Sequence, residues 1–240
     1  MKYSATIICL LSYLIFIFPP LCMADNVKID NTFEIVSDNI YFIAPDDSRE
    51  KYESLCLFGA KYKAVTLSAK YLNHMGVLKN YGDKRKEIFY LVADDLKITI
   101  IGKKLVATGK YYTKIKTKIE VTDFTRAEIK NIELEKQESK FSWQEKMEQY
   151  VYKTIEPGKE ISRAYRYLRK KDRRVSIIYL DHLQKKYPNW QEIYFAKAIG
   201  FYATNKIEAM MNALKISCKL GNREACEDLE GFAEHSKAFK

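Results

Sequence analysis

The sequence predicts a chain in two parts. The first is an α+β module, a long helix packed on a small, mostly antiparallel sheet. The second is an all-α, helical-repeat-like tail. Three patterns carry this reading. Residues 111–121 alternate strictly, residues 49–73 repeat apolar side chains at steps of three and four, and short amphipathic stretches pair up after residue 175.

The chain opens with Lys2 and an apolar run over residues 7–18, followed by Pro19, Pro20 and the small-residue site Cys22-Met23-Ala24. This is the pattern of a secretory signal cleaved after Ala24. The run is short for a membrane span, which needs ~20 apolar residues. The alternative is an uncleaved inner-membrane anchor through residues 4–23. Neither Cys9 nor Cys22 follows the small residue that a lipidated cysteine requires. A periplasmic or secreted protein is expected.

Residues 27–44 read as extended, with Phe33, Ile35, Ile40 and Phe42 as β-formers and Ser37-Asp38-Asn39 as a turn that breaks them. Asp47 and Glu50 have the spacing of a capping pair. In the helix that follows, Tyr52, Leu55, Cys56, Gly59, Ala60, Ala64, Leu67, Tyr71 and Leu72 share one face, rich in small residues. Cys56 on that face is expected to be a buried, inert thiol.

Asp83 is placed to cap a second helix carrying Ile88, Leu91, Val92 and Leu96. Residues 97–107 then turn β-rich. In the next strand Tyr111, Thr113, Ile115, Thr117, Ile119 and Val121 face one way, and Tyr112, Lys114, Lys116, Lys118 and Glu120 the other. Thr125 and Glu128 suggest a capping box. Residues 126–140 are charged and poor in apolar side chains, and read as an exposed helix joining two parts. Phe141, Trp143, Met147, Tyr150 and Val151 mark a helix ended by Pro157-Gly158. Shorter helices follow around Tyr165, Leu180, Tyr194, Met210 and Leu229. The expected organisation is a signal peptide over 1–24, the α+β module over 25–123, a helical linker over 124–158 and the repeat-like region over 159–240.

The whole chain carries a net charge of +10, and loss of the one lysine in the signal leaves +9. A basic exported protein favours anionic surfaces, namely an acidic partner protein, an envelope polymer or lipid headgroups. Nucleic acid is not the expected partner outside the cytoplasm. Three cysteines follow the signal, Cys56, Cys218 and Cys226, and an odd count in an oxidising compartment suggests one bridge and one buried thiol.

Motifs of catalysis are not found. His74, His182 and His235 have no metal-site spacing, Gly102-Lys103-Lys104 lacks the other glycines of a phosphate loop, and there is no Gly-x-Ser-x-Gly elbow. Asp94-Asp95 and Asp46-Asp47 are adjacent pairs whose side chains diverge. No cofactor, catalytic residue or metal ligand is assigned. One charge run stands out. Lys159, Arg163, Arg166, Arg169, Lys170, Lys171, Arg173 and Arg174 recur at helical spacing, either as a solvated face or as a contact for an anionic surface with Tyr167 beside it. Lys114, Lys116 and Lys118 are a second candidate, with edge protection as their plainer reading.

Two resemblances add to this. The segments "SREKYESLCLFGAKYKAVTLSAKYL" and "EIFYLVADDLKITIIGKKLVATGKYYTKIKTKIEV" make residues 33–123 resemble the N-terminal domain of the flagellar assembly protein T family and its lipoprotein relatives. That resemblance implies an exported α+β module of cell-envelope assemblies. Tyr62, Tyr71 and the few alanines depart from it. Residues 173–235, above all "ALKISCKLGNREACEDLEGF", are similar to tetratricopeptide and cysteine-rich Sel-like repeats. This second resemblance implies a Cys218–Cys226 bridge, worth ~2–3 kcal/mol for so short a loop. It also implies a concave groove between helix pairs, with Trp190, Tyr194 and Tyr202 as partner-binding side chains.

The expected function is a non-catalytic exported scaffold or adaptor of the bacterial cell envelope, binding a protein complex there. The alternative is a binding module for an anionic envelope polymer or lipid through the basic helix, with membrane contact. An enzyme of unknown class ranks below both.

Overall fold

The computed structural model describes residues 32–74, 76–107, 109–140, 156–170 and 172–238. The signal segment and Trp143, Met147, Tyr150 and Val151 lie outside them, as does Lys171. Strand β1 (Thr32–Phe42) leads to the long helix α1 (Arg49–His74), a 3-10 segment (Val77–Lys84) and helix α2 (Arg85–Asp95). Strands β2 (Ile98–Ala107) and β3 (Lys110–Glu120) follow, then α3 (Val121–Glu138). The tail comprises α4 (Pro157–Arg169), α5 (Arg173–Lys186), α6 (Gln191–Tyr202), α7 (Ile207–Lys219) and α8 (Arg223–Ala238). An α+β module is thus followed by helices.

The sheet is antiparallel with order β1-β3-β2. The alternation of β3 is realised: Tyr111, Thr113, Ile115, Thr117 and Ile119 are buried, while Lys116 and Lys118 are exposed. Helix α1 packs on the buried face.

The expected break at Ser37-Asp38-Asn39 does not occur, because each turn-former finds a partner from the strand. The Ser37 hydroxyl donates to the Ala60 carbonyl at 2.8 Å. The Asn39 amide donates to the Cys56 carbonyl at 3.3 Å. Asp38 accepts from Lys63 Nζ at 2.6 Å. Helix α1 supplies all three partners, and Gly59 leaves room for the Asn39 amide, since a Cβ there would stand 2.1 Å from Asn39 Nδ2.

Three expected helix boundaries are corrected. The Ser48 hydroxyl, not Asp47, accepts a first-turn N–H, that of Lys51 at 3.2 Å. Asp47 instead accepts from the Ala44 N–H and the Tyr41 hydroxyl. Asp83 lies inside the 3-10 segment, and α2 starts at Arg85 without a side-chain cap. Helix α3 starts at Val121, directly out of β3, through a capping box of Glu120 and Asp123. Thr125 is therefore mid-helix. Pro157-Gly158 opens α4, where proline at the first position loses no needed N–H; the helix it is expected to close lies outside the described residues. A Cβ at Gly158 would lie 2.2 Å from the Tyr90 carbonyl oxygen, so α4 meets the backbone of α2 there.

Residues 124–140 are not a bare linker. Phe124, Ala127 and Asn131 are buried on α3. One hydrophobic core runs from Tyr41 and Leu55 through Ile88, Phe124 and Ile161 to Tyr179, Trp190 and Ala196. A smaller cluster holds Phe195, Met210, Leu214 and Ala225. The packing continues across the expected boundary.

Candidate partner-binding surface

The basic helix proves to be α4, and its cations turn inward. Arg166 is 1% exposed. Its guanidinium lies 2.7 Å from Glu138 Oε1, donates to Asn131 Oδ1 at 3.0 Å, and sits 3.7 Å from Glu87 Oε2. Arg169 pairs with Glu87 at 2.7 Å and also with Glu135. Arg163 pairs with Glu138 at 2.9 Å. The acids come from α2 and α3, so the arginines bind three helices to one another. The expectation of one anionic-surface site across Arg163, Arg166, Arg169, Lys170, Arg173 and Arg174 is corrected accordingly. Lys170 and Arg174 remain exposed, Arg173 is half-buried, and Tyr167 is buried.

The expected aromatic contacts divide in the same way. Trp190 is 3% exposed and meets Phe58 and Tyr187 edge-on, at 6.0 and 5.7 Å between ring centroids. Tyr194 is buried and donates to the Pro188 carbonyl at 2.6 Å. Both are core residues and are withdrawn as partner contacts. Tyr202, 61% exposed, stays on the surface. Tyr194 lines one side of a cleft of about 240 Å³ with Gln184, Lys197, Phe201, Asn212 and Ile216. Its cation is already engaged, since Lys197 Nζ donates to Asp181 at 2.7 Å and Gln184 at 2.6 Å.

A buried aromatic cluster joins the module to the tail. Tyr62 and Tyr90 stack at 4.4 Å, with Tyr165 5.4 Å from Tyr90. The Tyr90 hydroxyl donates to Glu192 Oε2 at 2.8 Å. Burial first, and the nearby Glu192 charge second, hold the Tyr90 and Tyr165 hydroxyls well above the usual range. Burial also raises the Glu192 carboxyl. These groups are enclosed in packed core. No cluster of side chains suited to a metal ion occurs among the described residues.

The cysteines fall as the repeat resemblance implies. Cys218 and Cys226 are joined, with Cα atoms 4.8 Å apart across the α7–α8 connection. A disulfide fits an oxidising compartment. Cys56 is buried and reduced, and burial pushes its thiol up. No described helix is long and apolar enough to cross a membrane.

The lysines of β3 do not protect an edge, because β3 is the central strand. Lys116 pairs with Glu34 of β1 at 2.6 Å and Lys118 with Glu120 at 3.8 Å. Asp38 lies below the usual carboxylate range through its hydrogen bond from Lys63 foremost, with Tyr112 and Lys114 adding to it.

The open surface lies instead at β2. A helix is about 10 Å wide and strands are ~4.8 Å apart, so one helix covers about two strands. Helix α1 covers β1 and β3. Among the described residues, strand β2 has β3 on one side and no strand on the other. Ile100, Ile101, Leu105 and Val106 are 46% to 63% exposed. Register shifts at Ile100/Gly102 and Leu105/Ala107 put bulges beside two of them. Lys103 pairs loosely with Glu53 at 3.6 Å, and Lys104 lies over the Tyr112 ring at 5.9 Å. Sequence reasoning registered these residues only as β-formers. The adjacent apolar pairs Ile100-Ile101 and Leu105-Val106 are the available signal, because neighbours in a regular strand face opposite ways.

No known protein family, curated protein or solved structure matches the chain.

Proposed function

We propose that this chain is a non-catalytic, exported scaffold or adaptor of the bacterial cell envelope, and that it binds a partner protein at β2. The carrying observation is the set of four large apolar side chains exposed on a strand with an open edge. The signal pattern of residues 1–24 and the Cys218–Cys226 bridge support export to an oxidising compartment. The resemblance of residues 33–123 to the flagellar assembly protein T module, and of the α5–α8 hairpins to Sel-like repeats, supports an assembly role. The anionic-polymer reading loses its main support, since Arg163, Arg166 and Arg169 are held by Glu87, Glu135 and Glu138.

The test is a photo-crosslinking amino acid placed at Ile101 or Leu105 in the producing bacterium, with Ile129 of α3, also exposed, as the control. Both β2 positions should give the same discrete adduct and Ile129 should not. Adducts equal at all three positions, or at none, would remove β2 as the contact. Mass spectrometry of the same material should find an N-terminus at Asp25; an intact N-terminus in the membrane fraction would favour the anchor.

A further inference from the structure

We infer that β2 receives a strand from its partner, an extended segment in which apolar and acidic side chains alternate. This rests on the reading of β2 as the partner contact and specifies the chemistry of that contact. The open side of an edge strand presents unpaired backbone groups, and an added strand satisfies them.

Charge selects the occupant. Residues 97–107 contain Lys97, Lys103 and Lys104 and no acid. No described carboxylate pairs with Lys97 or Lys104, in contrast to Lys116 and Lys118 of β3 and to Lys103. Register assigns the faces. Lys104 stands opposite Tyr112 and Gly102 opposite Lys114, on the face where β3 carries its lysines. Ile98, Ile100 and Leu105 stand opposite Thr117, Ile115 and Tyr111, on the face that α1 covers only over the neighbouring strands; Lys103, opposite Thr113 on that face, is already paired with Glu53 of α1. An incoming strand therefore meets Lys104 on one face and, apart from the Glu53-paired Lys103, apolar side chains on the other. Side chains alternate between faces at every residue, so the matching segment alternates acid and apolar.

The same charges disfavour a second copy. Antiparallel self-pairing about the strand centre sets Ile101 opposite Lys104 and Gly102 opposite Lys103. Lys103 and Lys104 of both copies would then lie within two residues of the axis, four cations with no acid among them. Edge lysines of this kind keep a sheet from pairing with itself while leaving it open to an acidic strand.

The test uses three synthetic ten-residue peptides with the purified protein, read by amide NMR. One peptide alternates valine and glutamate, one alternates valine and lysine, and one has five valines followed by five glutamates. The alternating acidic peptide should shift the amides of residues 98–107. Lys104→Glu and Leu105→Ser should each weaken it by roughly five- to tenfold, in line with one reversed charge pair or one lost apolar pair and its neighbours. Equal binding of the block peptide would overturn strand addition in favour of diffuse attraction. Silence with every peptide would overturn it too. So would a dimer in sedimentation that Leu105→Ser converts to monomer, since the occupant would then be a second copy. Persisting crosslinks at Ile101 and Leu105 with no peptide response would remove the acidic strand and keep the scaffold; loss of the crosslinks would remove both.

Discussion

The Tyr90 hydroxyl donates to the Glu192 carboxylate at 2.8 Å, deep in the interior, and so bonds α2 of the module to α6 of the tail. Tyr62 stacks on the same Tyr90 ring, and Phe58 of α1 packs edge-on against Trp190. Module and tail therefore share one interior.

Burial raises the Glu192 carboxyl, and this sets a direction for stability against pH. A carboxyl whose folded pKa is raised holds its proton more firmly in the folded state. Stability then falls as pH climbs from the unfolded value, about 4.3, through the raised folded one. Glu192→Gln keeps an acceptor for Tyr90 and cannot ionise. The thermal midpoint of the parent minus that of Glu192→Gln should decline across this window. A flat difference would show that the carboxyl is not held in a buried, charge-averse place.

Arg166→Ala should destabilise by about 3 kcal/mol, because it removes the buried cation between Glu87 and Glu138 and leaves them only Arg169 and Arg163. Arg174→Ala, on the exposed side, should stay within about 0.5 kcal/mol. Urea unfolding at neutral pH compares the two. Equal costs would mean that the inward network contributes nothing.

Two glycine substitutions should differ sharply. At Gly59 an added methyl meets the tip of the Asn39 side chain, which can swing away. The lost hydrogen bond costs about 1 kcal/mol, and alanine returns about 1 kcal/mol of helix propensity, so Gly59→Ala should be near neutral. At Gly158 the methyl meets the Tyr90 carbonyl on a packed helix, which cannot yield without moving α4. Gly158→Ala should cost roughly 1–3 kcal/mol or more. Thermal unfolding of the pair gives the ranking, and a reversed order would contradict the α2–α4 contact.

Reducing the Cys218–Cys226 bridge should act locally. Hydrogen exchange should speed up over α7 and α8, while amides of β3 keep their protection. Loss of protection throughout the sheet would show that the last hairpin supports the whole fold.

Much of the fold was legible in the sequence because it depends on local periodicity. The burial of alternate residues in β3, the extent of α1, the buried Cys56 and the α+β-then-helical order all follow from patterns within about twenty residues. The errors share a different cause. Arg166 reads as a surface cation because its partners Glu87, Asn131 and Glu138 lie far along the chain, and only the fold gathers them. Trp190 reads as a contact for the same reason, since Phe58 of α1 packs edge-on against it, whereas Tyr194 is tied down locally by the Pro188 carbonyl, which helical periodicity does not signal. Ser37, Asp38 and Asn39 read as a turn until α1 offers them partners. The open flank at β2 depends on strand order, which periodicity does not encode. A sheet ordered β1-β2-β3 would have placed Leu105 in its centre.

That strand order also governs the sequence of events as the chain is made. β1 pairs along its whole length with β3, and β2 lies between them in sequence but not in space. A chain delivered N-terminus first exposes β1 long before its mate exists. Until Glu120 has emerged, the first strand lacks β3, and among the described residues helix α1 and strand β2 are what it can lean on. An early β1–β2 pairing must then be undone before β3 can enter between them.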